Sequence, residues 1–232
     1  MIRNTLAGAA VAAIFLTSTA VQAADFYSPD PIPQPAAGWY FSGFGGANWA
    51  DDTNFDTGLG VITNKYNTGF VFGGAVGYDF GETMGPLGVR LEGEVSYRKS
   101  DIDTHVLNGG DLAGSVGTTS ALAGMANLLF DFNTAGPFSF YAGGGVGAAN
   151  VKFDGHGADA ANPVMNDDET VFAWQGIAGV GFDVAPNWVI DLQYRYFDAS
   201  NVSLTSTPGA GSVSSSTDYR SHAVVAGLRW SF

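Results

Sequence analysis

The sequence lacks cysteine and is poor in positive charge. With no Cys, disulfides, thiolate nucleophiles and Cys-ligated metals are excluded. Only nine Lys and Arg stand against 22 Asp and Glu in 232 residues, giving a formal net charge of −13. Phosphate contacts need clustered Lys and Arg, so we expect no nucleic-acid partner.

Long hydrophobic runs are also missing, so the sequence predicts no transmembrane helix. Residues 1–23 instead predict a signal peptide. Arg3 supplies a basic start, Leu6 to Leu16 form a short apolar stretch, and Val21 and Ala23 place small residues before a cleavage site. The mature chain is therefore expected to be exported.

The segment after the predicted cleavage site is rich in proline. Four of the nine Pro residues fall within residues 24–37, at every second position from Pro29 to Pro35. Proline blocks helices and sheet ladders and favours extended chain. We therefore predict a periplasmic leader at 24–37, followed by one domain at 38–232.

Glycine, aromatics and an alternating pattern dominate this domain. Between Val89 and Arg98 every second residue is apolar or glycine, while Arg90, Glu92, Glu94, Ser96 and Arg98 occupy the other face. A period of two indicates a β-strand. Similar alternation divides the domain into eight segments: 38–49, 69–80, 89–98, 118–132, 138–151, 171–184, 188–197 and 219–232.

Three properties of these segments favour a membrane barrel over a soluble sandwich. They are longer than the usual 5–6 residues of soluble strands and reach the ~9–11 needed to cross a bilayer. Aromatic residues cluster at their ends, as in interfacial girdles. Short connections alternate with long ones near 50–68, 101–117, 152–170 and 198–218. We predict an all-β, eight-stranded antiparallel transmembrane up-and-down β-barrel, with both termini on the periplasmic, short-turn side.

Both ends of the domain resemble small bacterial outer-membrane proteins. The opening Gly38-Trp39-Tyr40-Phe41 is similar to their first strand, and Leu228, Trp230 and Phe232 resemble the β-signal read by barrel-assembly machinery. The domain resembles the opacity-protein and OmpA-like barrel superfamily, especially Gly-rich major surface proteins of alphaproteobacteria. The resemblance implies an outer-membrane location and roles in envelope integrity, adhesion or immune evasion, and it supplies no catalytic residue.

The strand pattern predicts a charged interior. By parity, a lumen network points inward: Arg90, Glu92, Glu94, Arg98, Asp191, Arg195 and Arg229, with Asp79, Asp131, Asp183, Asn127, Gln175 and Gln193 beside them. An eight-stranded barrel is barely wide enough for side chains to fill. A plug of salt bridges is favoured on size, and a narrow diffusion pore is the alternative, because inward glycines leave space for water.

Acidic residues concentrate in the long connections. Thirteen of the 22 Asp and Glu fall there. The densest groups are Asp51, Asp52 and Asp56, and Asp167, Asp168 and Glu169. The simpler interpretation is that these carboxylates form a solvated surface. The alternative is that divalent cations bridge them to lipopolysaccharide, because Ca²⁺ and Mg²⁺ prefer oxygen ligands. No EF-hand pattern is present. The stretch from Ser203 to Thr217 is expected to be mobile.

The histidines argue against catalysis. His105 and His156 fall in long connections, and His222 adjoins Ser221, but neighbouring strand residues point to opposite faces. We predict no catalytic residue and no cofactor. The expected protein is a structural surface protein that contributes to envelope integrity and displays acidic loops, with a narrow pore or an outer-membrane lipid-modifying enzyme as alternatives. Its expected partners are outer-membrane lipid, lipopolysaccharide and the assembly machinery, and a host ligand is unknown.

Overall fold

The described part of the protein is almost entirely β-strand. The computed structural model describes residues 37–56, 61–84, 87–107, 110–111, 116–134, 136–157, 165–206 and 213–232. The predicted signal peptide and nearly all of the leader therefore lie outside the described residues. The strands are β1 Gly38–Ala50, β2 Thr53–Asp56, β3 Val61–Tyr66, β4 Gly69–Met84, β5 Leu87–Leu107, β6 Gly110–Asp111, β7 Val116–Asn133, β8 Phe138–Gly157, β9 Met165–Ala185, β10 Trp188–Ser206 and β11 Val213–Ser231.

Eight of these strands close into a ring. The order is β1, β4, β5, β7, β8, β9, β10 and β11, each antiparallel to the next. The last strand returns to the first over the register Tyr40↔Ser231 to Ala50↔Ser221, which closes the barrel. The predicted eight-stranded antiparallel barrel is confirmed. Closure leaves no unpaired edge within the ring, as a lipid environment requires.

The barrel is inverted relative to a soluble protein through most of its length. On β5, the outward Leu91 and Val95 are 51% and 61% exposed, whereas the inward Arg90 is 2% exposed. Large apolar side chains cover the outside, and charged ones fill the inside, which is the pattern of a membrane barrel. No helix in the described ranges has the length and apolarity needed to cross a membrane.

The strands run further than the sequence pattern predicted. The segment expected to end at Arg98 continues to Leu107, and much of the predicted connections 101–117, 152–170 and 198–218 is strand. The expected connection at 50–68 contains the β2–β3 hairpin, and β3 and β6 both pair with the far end of β5. Ladder pairing continues past the apolar segments, so the change in composition marks the membrane boundary rather than the strand end.

The predicted mobile stretch from Ser203 to Thr217 is wrong in part. Its flanks are the paired ends of β10 and β11, in register from Val202↔Thr217 to Ser206↔Val213. Serine and threonine are compatible with strands once a neighbouring ladder is present. Residues 207–212 lie outside the described residues.

The alternation changes its chemistry at the long-connection end of the barrel. On β8 the outward positions there are Asn150, Lys152 and Asp154, and the inward Val151 and Phe153 are fully buried. Inward residues of this level form one apolar cluster, here called the upper core: Ala121, Ala123, Met125, Ala149, Val151, Phe153, Ala173, Phe197, Ala199, Val202 and Tyr219. The barrel therefore extends beyond the bilayer as a water-facing barrel with an apolar centre.

Candidate functional site

The candidate site is the set of polar side chains that fills the membrane-spanning part of the barrel. β5 supplies four of its charged members because every second residue of that strand points inward. The structure places all seven charged residues singled out for the lumen inside the barrel and buries them: Arg90, Glu92, Glu94, Arg98, Asp191, Arg195 and Arg229. Asn127, Asp131, Gln175 and Asp183 are buried beside them.

Arg90 organises the part of the network nearer the short turns. Its guanidinium meets Asp131 on the adjacent β7 with two parallel hydrogen bonds, Nε to Oδ2 at 2.7 Å and a terminal nitrogen to Oδ1 at 2.8 Å. Planar bidentate pairing is the strong form of this contact. Glu92 lies 3.7 Å from Arg90 and accepts a hydrogen bond from the Tyr40 hydroxyl at 2.7 Å. The Tyr141 ring faces Arg90 at 4.8 Å.

An ion pair crosses the middle of the lumen. Arg195 on β10 donates to Glu94 Oε2 on β5 at 2.8 Å. These strands are four steps apart in either direction around the ring, so the pair spans the width of the barrel. The same Glu94 oxygen accepts from Asn127 at 2.8 Å and from Gln175 at 3.2 Å. The Phe44 ring lies 3.9 Å from the Arg195 guanidinium.

Arg98 differs from the other buried arginines because no carboxylate of the described residues forms an ion pair or hydrogen bond with it. Its guanidinium lies 3.4 Å from the centre of the Phe197 ring, again on the opposite side of the barrel. Its hydrogen bonds reach the hydroxyls of Ser221 at 3.4 Å and Ser96 at 3.3 Å, and its Nε has no partner. Arg98 therefore lies where the charged network and the upper core meet, in register with Ala121 of that core.

The short-turn end is more open. Arg229 and Asp191, on adjacent strands, are 3.7 Å apart. A cavity of about 320 Å³ opens at this mouth, lined in part by Asp79, Asp131 and Arg229. Arg90 and Tyr40 are not among its lining residues and are buried.

Aromatic rings fill the space above two inward glycines. A Cβ on Gly77 would overlap the Tyr40 ring, and a Cβ on Gly179 would come within 2.5 Å of the Tyr141 ring. The sequence pattern predicts that inward glycines leave space for water in the lumen. At these two positions the interpretation is wrong, because the rings occupy the space that the missing side chains provide.

The structure does not gather the acidic residues proposed for metal binding into a site. Among the described side chains, no group of three or more His, Asp or Glu is arranged to hold a metal ion. Asp51 lies 3.6 Å from His222, and Asp168 accepts a hydrogen bond from Asn150 at 2.9 Å. Asp52 is exposed and Glu169 half-buried. The side chains of Asp56 and Asp167 lie outside the described residues.

The three residues of the predicted β-signal lie on the lipid-facing surface of the barrel. Leu228, Trp230 and Phe232 are exposed on the outer surface, and Phe232 stacks on Phe41 of the neighbouring strand with ring centres 5.4 Å apart. They lie along the β1–β11 seam, the last pairing needed to close the ring. Their role as an assembly signal stays a prediction.

His222, whose side chain the structure describes, contacts a tyrosine hydroxyl and not the neighbouring serine. His222 faces outward, and its Nδ1 lies 2.6 Å from the Tyr194 hydroxyl, whereas Ser221 points into the barrel. The side chains of His105 and His156 lie outside the described residues.

Sequence reasoning missed the upper core. Its signal was present in Asn150-Val151-Lys152-Phe153-Asp154, where alternation continues but the polar residues take the outward parity. The predicted segment ends at Val151 and assigns Lys152, Phe153 and Asp154 to a long connection, whereas the structure continues β8 to Gly157.

The sequence of this chain is similar to those of known outer-membrane proteins. The sequence model of the outer membrane protein beta-barrel domain matches residues 9–232. The chain belongs to this outer-membrane barrel family. The outer membrane protein PagN of Salmonella typhimurium is 30% identical over 168 residues, covering 66% of this chain and 67% of PagN. An uncharacterised Brucella abortus protein is 26% identical, with 88% of each chain covered.

A solved structure shows the same fold. The outer membrane protein OprG of Pseudomonas aeruginosa aligns with a TM-score of 0.53 at 15% identity, over 87% of this chain and 99% of OprG. The predicted location in a bacterial outer membrane is confirmed by the family match.

Proposed function

We propose that this outer-membrane barrel is a closed scaffold, which contributes to envelope integrity and displays an acidic surface without conducting solutes or catalysing a reaction. The observation that carries the proposal is the Arg195–Glu94 pair across the width of the lumen at 2.8 Å. Phe44, Asn127 and Gln175 close around it. A permeant solute would have to break this pair and then pass the apolar upper core.

The displayed surface is formed by strand ends that leave the bilayer. The exposed carboxylates there come from three places: Asp51 and Asp52 directly after β1, Asp101 and Asp103 on β5, and Asp154 on β8. Carboxylates spread over a rigid barrel give a negative surface that repels anions and attracts cationic partners. Such a surface supports contact with other molecules more readily than turnover, since catalysis needs convergent groups.

Single-channel conductance tests the closed lumen. The protein is reconstituted in planar bilayers beside Arg195→Ala and Arg90→Ala, each of which removes a side chain that spans or seals the network. We expect silence in the wild type and leakage in the variants. Leu192→Ala, an outward change on the same strand as Arg195, is the matched control and should stay silent. Steady conductance steps in the wild type would refute the closed scaffold and support the narrow pore.

Envelope integrity needs a cellular test. A strain lacking the protein should become more sensitive to detergents, and both the wild type and Asp51→Asn/Asp52→Asn should restore resistance. Resistance that is unchanged by the deletion would contradict the structural role.

A further inference from the structure

The few positive charges of this acidic protein are unevenly distributed. Four arginines are buried in the lumen. The remaining cations on the described residues are Lys65, Lys99, Lys152 and Arg220. Arg220 is engaged by two carboxylates, Asp198 at 3.0 Å and Asp218 at 2.7 Å. Lys99 and Lys152 lie close to each other on the outer surface of the barrel, on the two strands that flank β7.

The two lysines flank one serine in a single cross-strand row. Lys99 of β5 is in register with Ser120 of β7, and Ser120 is in register with Lys152 of β8. All three lie on the outward parity of their strands. Neighbouring strands are ~4.8 Å apart, so the two lysine Cα atoms are about 10 Å apart with a hydroxyl between them. Two ammonium groups on flexible stems can therefore converge over Ser120.

The row lies at the level where the barrel leaves the hydrocarbon. One step towards the membrane, the outward residues are Tyr97, the exposed Leu122 and, on β8, the polar Asn150. One step away from it they are Asp101, Thr118 and Asp154. On β5 and β7 the outward side chains change here from aromatic or aliphatic to polar or charged, which marks the headgroup layer.

A groove accompanies the row. Its volume is about 430 Å³, and its walls are formed by Tyr97, Lys99, Thr118, Ser120, Leu122, Asn150, Lys152 and Asp154. Tyr97 and Leu122 give its membrane side an apolar surface beside the polar Asn150, and its middle carries the two ammonium groups. This order of chemistry matches a molecule with acyl chains below and an anionic group above.

We propose that this groove binds the phosphate of an outer-leaflet glycolipid, with Lys99 and Lys152 contacting the phosphate, Ser120 donating a hydrogen bond to it, and the acyl chains lying along Tyr97 and Leu122. Charge-assisted hydrogen bonds to phosphate are stronger than neutral ones. Direct contact by ammonium groups needs no bridging cation. Elsewhere the acidic outer surface repels phosphates, so the groove is the favoured place for the lipid on the described surface.

The present partners of the lysines do not prevent this contact. Lys99 lies 3.5 Å from Asp101, and Lys152 lies 2.9 Å from Asp154. Both pairs are exposed and therefore weak. Asp101 and Asp154 belong to the row further from the membrane, and Asp168 of β9 lies beside Lys152 in its own row. A headgroup therefore approaches the two ammonium groups from the membrane side, over Ser120.

Native mass spectrometry of the protein purified from outer membranes tests the proposal. The probe is lipid A bearing both phosphates, added to delipidated protein. A basic residue near an anionic membrane surface contributes enough affinity for about a 5-fold effect. We therefore expect Lys99→Gln and Lys152→Gln each to weaken binding about 5-fold and the double variant about 30-fold.

Three controls decide the result. Lys65→Gln removes an exterior lysine of β3 outside the groove and should leave lipid binding unchanged. Lipid A without phosphates should bind the wild type as weakly as the bisphosphorylated lipid binds the double variant. Inorganic phosphate should not displace the lipid. An equal loss in the Lys65 variant, equal binding of the dephosphorylated lipid, or displacement by inorganic phosphate would overturn the proposal.

A measurement on the wild type avoids dependence on folded variants. Lipid A carrying a photoreactive group beside its phosphate should label the peptide that contains Ser120. Labelling spread evenly over the outward residues of the barrel, or confined to another strand pair, would also overturn the proposal.

Discussion

Removing one partner of the ion pair that crosses the barrel should destabilise the protein strongly. Glu94 accepts hydrogen bonds from Arg195 at 2.8 Å, Asn127 at 2.8 Å and Gln175 at 3.2 Å. In Arg195→Met, two neutral amides would remain to stabilise a buried carboxylate. Breaking a buried pair in this way costs about 3–5 kcal/mol.

The double variant separates pairing from packing. In Glu94→Gln/Arg195→Met neither buried charge remains, and replacing a whole buried pair is often close to neutral. We expect the double variant to lose less stability than Arg195→Met alone. The coupling between the two sites should lie within the ~0.5–3 kcal/mol found for contacting residues.

Arg98 provides a matched control. Arg98 and Arg195 are both buried, and each guanidinium lies over a phenylalanine ring, at 3.4 Å and 3.9 Å. Of these two arginines, Arg195 contacts a carboxylate, whereas Arg98 contacts none among the described residues. Because an uncompensated buried charge is unfavourable, Arg98→Met should cost clearly less than Arg195→Met.

Equilibrium unfolding in urea, with the protein in lipid vesicles, measures these differences through tryptophan fluorescence and heat-dependent gel migration. The single variants are Glu94→Gln and Arg195→Met. The free energy of unfolding lost in Arg195→Met must exceed that lost in the double variant. If the losses of the Glu94 and Arg195 variants simply add to within about 0.5 kcal/mol, the two residues are uncoupled and the argument from the pair fails. An Arg98→Met loss equal to that of Arg195→Met would refute the role assigned to the carboxylate.

Three further predictions concern packing and titration. Gly179→Ala should cost about 1–3 kcal/mol of unfolding free energy because its methyl group overlaps the Tyr141 ring, while Gly124→Ala, which meets nothing within 4 Å, should be nearly neutral in the same urea titration. Phe153→Ala should cost about 3–5 kcal/mol if the upper core is packed, and a near-zero loss would contradict that packing. Burial raises the pKa of Tyr66 to about 12, so the folded hairpin holds its proton after the unfolded one has lost it, and stability should fall as pH rises from about 10 to 12. The phenolate absorbance of the folded protein, measured against pH, checks this prediction. The titration that is present in the wild type and lost in Tyr66→Phe should have its midpoint near 12, and a midpoint near 10 would contradict the prediction.

The parity of the strands could be predicted from the sequence because a strand repeats every two residues. That period assigns Arg90 to one face and Leu91 to the other before any neighbour is known. Aromatic residues such as Trp39 and Trp230 then indicate that the apolar face meets lipid. These local rules are enough for the eight-stranded barrel and for the inward direction of its charges.

Strand ends were harder to predict because they depend on the solvent outside the barrel. The apolar outward face marks where lipid is, and it stops before the ladder does. The extension of β5 to Leu107 and the burial of Phe153 follow from pairing with neighbouring strands, which no single segment encodes.

The amino-acid sequence determined the class of the protein, the number of barrel strands and the side of the wall on which each charged residue of the lumen lies, because these follow from a two-residue period and from composition. Only the tertiary structure decided which charges meet. Arg195 reaches Glu94 across the barrel, whereas Arg98, on the same β5 strand as Glu94, contacts two serine hydroxyls and a phenylalanine ring. Ring closure and strand register set those distances, and both depend on all eight strands together.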